Sequence, residues 1–403
     1  MRFVRGVTVA AGLGAVAALA WAAREIPDAL GGTPEGDRIR RSPQFRDGAF
    51  RNPPGIDRGV VPGPAGSILR EMLFGGQRRH PVLPIPVVMA PAAQPAADGL
   101  AVTWYGHASA LVEIEGRRVL LDPVWSKRCS PSQSVGPSRM HPPPVPLETL
   151  PQVDAVLISH DHYDHLDLRS IKALARTQTA PFVVPLGVGA HLERWGIESS
   201  RIIELDWGES TSVAGLELVA TSAHHFSGRG LSRDRTLWSS WVVAGAHRRM
   251  FYSGDSGYFP GYATIGAEYG PFDLTLIQIG AYSPHWADIH MTPEEGVRTH
   301  LDVRGGLLVP VHWATFVLAM HDWSEPVERL CADAGARGVR VAVPRPGERI
   351  DVDAPPEVDH WWRRVAGTRE RRPDLGNVIE LAEQAARDRR GLLGPLGDEA
   401  PAD

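Results

Sequence analysis

The strongest constraint in this chain is the stretch Ser159-His160-Asp161-His162-Tyr163-Asp164-His165-Leu166-Asp167, which follows directly on the apolar run 154–158. A short apolar run of that length reads as a strand buried on both faces. Imidazoles and carboxylates crowded at the exit of a buried strand are costly unless a cation offsets them. His160 and His162 flank a single residue, so in extended chain both side chains point to one side. Asp164 and His165 fall where the chain turns toward a helix expected at 168–175, so the cluster can present two pairs of ligands to two adjacent metal ions. Further ligands should then stand at other strand ends, where the sites of sheet proteins lie. His225 follows the apolar run 216–220, Asp255 follows 249–252 within Ser253-Gly254-Asp255-Ser256-Gly257, and His312 follows 307–310.

Around this cluster the chain divides by composition. From 31 to 98 it is rich in proline and glycine, with clusters such as Asn52-Pro53-Pro54-Gly55 and Pro62-Gly63-Pro64, and reads as an extended arm with one helical stretch at 66–74. From Leu100 the pattern changes to strands at 100–104, 110–114 and 118–121, the last two joined at Glu115-Gly116. Further short apolar runs lie at 182–184, 240–243 and 274–279. Some connections are too short for crossovers, so mixed sheets are expected. Thr292-Pro293-Glu294-Glu295 predicts a capping box opening a helix, and Ser324 predicts the cap of another that stops at Gly335. The expected organisation is a signal peptide or membrane anchor at 1–23, a wrapping arm at 24–99, a main domain bearing the ligand cluster at 100–365, and a charged tail at 366–403 with one marginal helix at 378–390.

Composition bounds the function. With 43% hydrophobic and 22% charged residues the 403-residue chain can bury a core. A formal net charge of -5 supplies no basic field, which argues against a nucleic-acid partner. Cys129 and Cys331 are too few for a disulfide framework or a thiolate metal cage. Arg2 and Arg5 precede the uncharged stretch 6–23, which suits either a cleaved secretory signal or a retained anchor. Either way the arginines favour an inside amino terminus, with the rest on the periplasmic or extracytoplasmic side of the membrane; the alternative is a buried alanine-rich core helix in a cytoplasmic protein.

The pattern resembles the metallo-β-lactamase superfamily, whose signature is His-x-His-x-Asp-His on a strand-to-helix loop. Within it the chain looks most like the branch containing N-acylphosphatidylethanolamine-hydrolysing phospholipase D. The segments that carry the likeness include Trp104-Tyr105-Gly106-His107-Ala108, Leu121-Asp122-Pro123-Val124-Trp125-Ser126, His225-Phe226-Ser227-Gly228-Arg229, Gly254-Asp255-Ser256-Gly257-Tyr258, Ile279-Gly280-Ala281-Tyr282 and His312-Trp313-Ala314-Thr315-Phe316. The resemblance implies a four-layer αβ/βα sandwich of two mixed β-sheets flanked by helices. It implies that His160, His162 and His225 hold one metal, that Asp164, His165 and His312 hold a second, and that Asp255 bridges them. His224 and His225 are adjacent, and the family motif selects His225 because Phe226 and Ser227 follow it.

Nitrogen and oxygen ligands suit two Zn2+ ions, with manganese or iron open because no thiolate enforces softness. Two such cations about 4 Å apart acidify a shared water and stabilise a displacement at phosphorus. Asp164 is expected to orient that water or accept its proton. By the resemblance His290 and Tyr163 lie near a substrate phosphoryl group; Arg229 could meet a phosphate or form a structural ion pair. His107 and Asp122 are expected to steady metal-binding histidines. The function these residues imply is a phosphodiesterase that releases an N-acylethanolamine and a phosphatidic acid from a phospholipid substrate, at a membrane surface. A lactonase similar to the ascorbate-6-phosphate branch keeps the same metals, and a membrane-tethered metal binder without turnover is the third reading. Oligomeric state is not legible.

Overall fold

The computed structural model describes residues 23–56, 70–71, 74–90, 94–230 and 232–366. The expected leader at 1–23 (save Ala23), the tail helix at 378–390 and most of the helical stretch at 66–74 lie outside them. Among the described residues no helix is long and apolar enough to cross a membrane.

The first sheet contains β1 (Leu100–Gly106), β2 (Ser109–Ile114), β3 (Arg117–Leu121), β4 (Ala155–Leu157), β5 (Phe182–Pro185) and β6 (Ile202–Leu205). β1, β2 and β3 form an antiparallel meander, and β4, β5 and β6 continue in parallel. The second sheet repeats the scheme. β7 (Ser210–Val213), β8 (Leu216–Thr221), β9 (Ser240–Ala244) and β10 (Arg249–Tyr252) are antiparallel neighbours, followed in parallel by β11 (Phe272–Gln278), β12 (Gly305–Val311) and β13 (Arg340–Val341). The last described strand, β14 (Arg349–Asp351), returns to the first sheet and pairs antiparallel with β1, Arg349 opposite Thr103.

Both faces of the first sheet are apolar because its strands alternate between two cores. Ala155 and Leu157 of β4 join the core between the sheets, along with Val102, Trp104, Leu218, Val243 and Leu276. Val156 and Ile158 face the other way, onto Ile171 and Leu174 of α1 (Leu168–Thr177). A run buried on both faces shows no polar alternation, which is why 154–158 reads as continuous apolar sequence. α2 (Gly189–Arg194) packs on the first sheet's far edge, against β6. α3 (Gly261–Tyr269), α4 (Pro293–Asp302) and α5 (Glu325–Ala336) belong to the second sheet, α4 packing on β11 and β12. This is the sandwich of two mixed sheets and helices that the resemblance implies. A short α6 (Trp361–Ala366) sets Trp361 and Trp362 against Trp313.

Two helix termini differ from expectation. The Thr292 capping box is present, with Thr292 Oγ1 accepting from Glu295 N–H at 3.3 Å and Glu295 answering to Thr292 N–H at 2.8 Å. Ser324, by contrast, has helical dihedrals and makes no side-chain cap bond. α5 also runs through Gly335 to Ala336, and the glycine with the left-handed backbone that ends such a helix is Gly338, φ 68°.

Candidate metal centre

Each ligand candidate stands just past the C-terminal end of a strand. β4 delivers His160, His162, Asp164 and His165 on the loop to α1, while β8, β10 and β12 deliver His225, Asp255 and His312. The loop turns into α1 at a defined point because Asp167 caps it: its carboxylate accepts from Ser170 N–H at 3.1 Å and from Ser126 Oγ at 2.8 Å. Left-handed backbone at His107, Asp122 and His312, with φ of 53°, 36° and 65°, bends the chain sharply at the ends of β1, β3 and β12. Such conformations are costly for residues bearing a Cβ and persist where the surroundings over-determine them.

The donor atoms converge in two sets. His162 Nδ1 lies 2.8 Å from His160 Nε2 and 3.3 Å from His225 Nε2. Asp164 Oδ2 lies 3.1 Å from His312 Nε2 and 3.5 Å from His165 Nε2. Asp255 Oδ2 stands between the sets, 3.0 Å from His312 Nε2, 3.1 Å from His165 Nε2 and 3.9 Å from both His160 Nε2 and His225 Nε2. Donors around one tetrahedral zinc with bonds of 2.0–2.1 Å are about 3.3 Å apart, so each set is spaced to share a cation. The chemistry of the pocket asks for one as well. Asp255 Oδ1 is buried without a hydrogen-bond partner among the described residues, an arrangement that folded proteins rarely leave unmet.

Electrostatics point the same way. Burial, reinforced by neighbouring imidazoles, holds His160 and His225 well below the usual histidine range, so both are neutral and able to donate a lone pair. Burial opposes ionisation of Asp255, but His165, His312 and His290 overcome it and keep the carboxyl well below its ordinary value. Asp164 is likewise held low against burial by His165, with hydrogen bonds from His107, His165 and His312. Burial also works against a proton on His165, yet Asp255, Asp164 and Asp122 raise it well above its ordinary value. Burial opposes a proton on His312 too, but Asp255 and Asp164 raise its pKa to about 9, so in the ion-free pocket protons on His165 and His312 match the two carboxylates, and a divalent ion would take over that role as the protons leave.

Behind these atoms lies a layer that orients them. Asp122 Oδ2 accepts from His165 Nδ1 at 2.6 Å and is itself held by Ser159 and by the Tyr252 hydroxyl. His225 Nδ1 donates to the Ile289 carbonyl at 2.8 Å, which aims Nε2 into the site. His107 steadies His312, its carbonyl accepting from the His312 N–H at 2.9 Å and its ring packing on the His312 ring, and its Nε2 also lies 2.8 Å from Asp164 Oδ2. His224 does border the site, its N–H donating to Ser256 Oγ at 2.9 Å.

The predicted substrate contacts divide. His290 faces a cleft of about 300 Å³ together with His162, Asp164 and Asp255, its Nδ1 3.9 Å from Asp255 Oδ2. Arg229 is not in that cleft. Its guanidinium is buried beneath the ligand loop, donating to the carbonyls of Asp161 (2.6 Å), Leu166 (2.8 Å) and Ala29 (2.8 Å). It is thus a clamp on the loop, set away from the cleft, and it makes no ion pair among the described residues. Tyr163 stacks under that guanidinium at 4.1 Å and donates its hydroxyl to the Arg229 carbonyl at 2.5 Å, so its proton is committed to the scaffold. Sequence reasoning missed the cation that does line the cleft. Arg233 is exposed there, 4.9 Å from the Phe226 ring; its position only a few residues past His225 was the sole available signal. Trp286, Ile289 and Leu318 complete the apolar lining.

Comparison with known proteins adds the following. Residues 117–313 match the family model described as a beta-lactamase superfamily domain. An uncharacterized protein of Mycobacterium tuberculosis is 51% identical over 89% of this chain and 99% of its own length. N-acyl-phosphatidylethanolamine-hydrolyzing phospholipase D 1 of Caenorhabditis elegans is 39% identical over 58% of this chain and 69% of its own length. Among solved structures, Igni18, a metallo hydrolase from the archaeon Ignicoccus hospitalis, aligns with 62% of this chain and 97% of its own at 23% identity and a TM-score of 0.48.

Proposed function

Because the chain belongs to the beta-lactamase superfamily and is a metal-dependent hydrolase, we propose that it is a dinuclear zinc phosphodiesterase of the phospholipase D type. On this reading it cleaves N-acylated phosphatidylethanolamine to an N-acylethanolamine and a phosphatidic acid. The observation that carries the reading is the cleft, in which Asp164, Asp255 and His290 share one cavity with Phe226, Trp286, Ile289 and Leu318. A charged phosphoryl centre joined to apolar chains asks for that combination of linings. The likeness to the Caenorhabditis elegans phospholipase supports the same substrate class.

His160, His162 and His225 would hold one metal, Asp164, His165 and His312 the other, with Asp255 shared. When bound, the metals lower the pKa of water and offset charge on phosphoryl oxygens. The protein's own groups do the rest. Asp164 presents a carboxylate oxygen to the cleft and can take a proton from the attacking water. Burial lowers the His290 pKa to about 4, so a neutral imidazole faces the cleft and donates an N–H toward developing phosphoryl charge. Phe226, Trp286, Ile289 and Leu318 take up methylenes and exclude water. Residues 1–23 would deliver the enzyme to the extracytoplasmic face of a membrane, which a fused periplasmic reporter tests.

The test of the substrate is product analysis with the zinc-loaded protein. We expect N-acylethanolamine release from liposomes containing N-acylated phosphatidylethanolamine, outpacing hydrolysis of a simple lactone. Lactone turnover far above lipid turnover would transfer the assignment to a lactonase. Metal content without turnover on either would leave a metal-binding protein.

A further inference from the structure

Asn52 opens the Asn52-Pro53-Pro54-Gly55 cluster of the arm, and its side chain meets a ligand candidate head-on. Asn52 Oδ1 accepts from the His225 N–H at 3.0 Å, while Asn52 Nδ2 donates to the His225 carbonyl at 3.0 Å. A carboxamide that engages both polar groups of one residue fixes that residue in place and in orientation, much as a strand neighbour does. An asparagine serving only a turn would bond its own backbone two residues on; here both bonds reach across to another element. The imidazole is held from the other end by the Ile289 carbonyl at 2.8 Å. His225 therefore has its main chain set by the arm and its ring set by the segment before α4.

Asn52 is itself anchored. Phe50 is fully buried with Ile39, Leu186, Ala223, Leu237 and Trp238, and its N–H donates to the Asp234 carbonyl at 2.7 Å. Pro53 and Pro54 fix φ immediately afterwards and stiffen the chain on that side. A second tie from the arm, the Ala29 carbonyl accepting from Arg229 Nε, falls on the same segment as His225, and Arg229 in turn clamps the Asp161 and Leu166 carbonyls of the loop after β4. The arm thus bears on the His160 and His162 loop through Arg229, and the His225 contact is the more direct.

We propose that Asn52 is a positioning residue for His225, through which the arm sets the metal affinity of the His160, His162 and His225 site. The inference rests on the dinuclear reading above and is independent of the substrate. It is tested on the full chain loaded with zinc and titrated with a competing chelator. Asn52→Leu keeps much of the side-chain volume and removes both bonds. One zinc equivalent should leave about 10-fold more readily than from the unmutated chain, as for other groups that orient a metal ligand, while the second is held as before. In the cobalt-loaded chain the same variant should alter the visible absorption of one site only. Asn52→Asp keeps the acceptor and loses the donor, and should fall between the two. Arg38→Ala cuts arm ion pairs to Glu193 and Glu204 elsewhere; it should cost stability yet retain both zinc equivalents. Retention of both equivalents by Asn52→Leu, or equal weakening of both, overturns the proposal. Should Asn52→Leu fail to fold, Asn52→Asp decides on the same readout. An unmutated chain that takes up only one zinc overturns the dinuclear reading instead, so the two failures are distinct.

Discussion

Asp255 Oδ2 is the atom common to both imidazole sets, so its replacement should be felt twice. Asp255→Asn preserves shape and removes the charge that both sets share, and elemental analysis should find both metals depleted. His312→Ala should mainly empty the set that contains Asp164 and His165; equal partial loss from both sets would contradict the division. His290 provides the complementary case, since it lines the cleft but stands 3.9 Å from Asp255 Oδ2. His290→Ala should leave metal content intact and slow lipid hydrolysis roughly 10²-fold, about 2.7 kcal/mol, the usual loss for one donor to a developing anion. Undiminished turnover at matched zinc occupancy removes His290 from the mechanism.

At the scale of elements, the cap of α1 matters most because the helix begins where the ligand loop ends. Asp167→Ala loses the bond to Ser170 N–H and strands the Ser126 hydroxyl in a buried place. Urea unfolding of the metal-free protein should show a loss of about 2 kcal/mol; an unchanged midpoint would mean the loop is held by other ties. The same element shows what sequence can reveal. β4, the ligand loop and α1 were legible because apolar continuity and clustered histidines lie within a few residues of one another. β7 was not, since its sequence Ser-Thr-Ser-Val is half exposed and carries no apolar signal. β13 and β14 are two and three residues long, too short for periodicity to register. Arg229 was read toward a phosphate or an ion pair because its neighbours on the motif suggest the site. What it touches, Ala29 and Leu166, is set by tertiary packing that no local pattern encodes. The Asn52 contact was hidden for the same reason, inside a cluster whose prolines and glycine suggested only a bend.

Across the whole molecule, the two sheets repeat one plan, an antiparallel meander followed by parallel strands, and the ligand candidates come from both. His160, His162, Asp164 and His165 belong to the first sheet, while His225, Asp255 and His312 belong to the second. Bound metal should therefore staple the halves together. With free metal at about a thousand times its Kd, each site should add about 4 kcal/mol to unfolding. Calorimetry after chelation should show a clear fall in Tm that readded zinc reverses; an unmoved Tm would argue that the pocket does not bind metal in the folded state. The return of β14 to pair with β1 has a temporal consequence. The first core strand made by the ribosome keeps an open edge until the last described strand has emerged, and pairings so distant in sequence form slowly. Assembly of the first sheet therefore cannot finish progressively behind the ribosome. Through most of its synthesis the nascent chain exposes a β edge, which a holding chaperone can cover until release lets the sheet close.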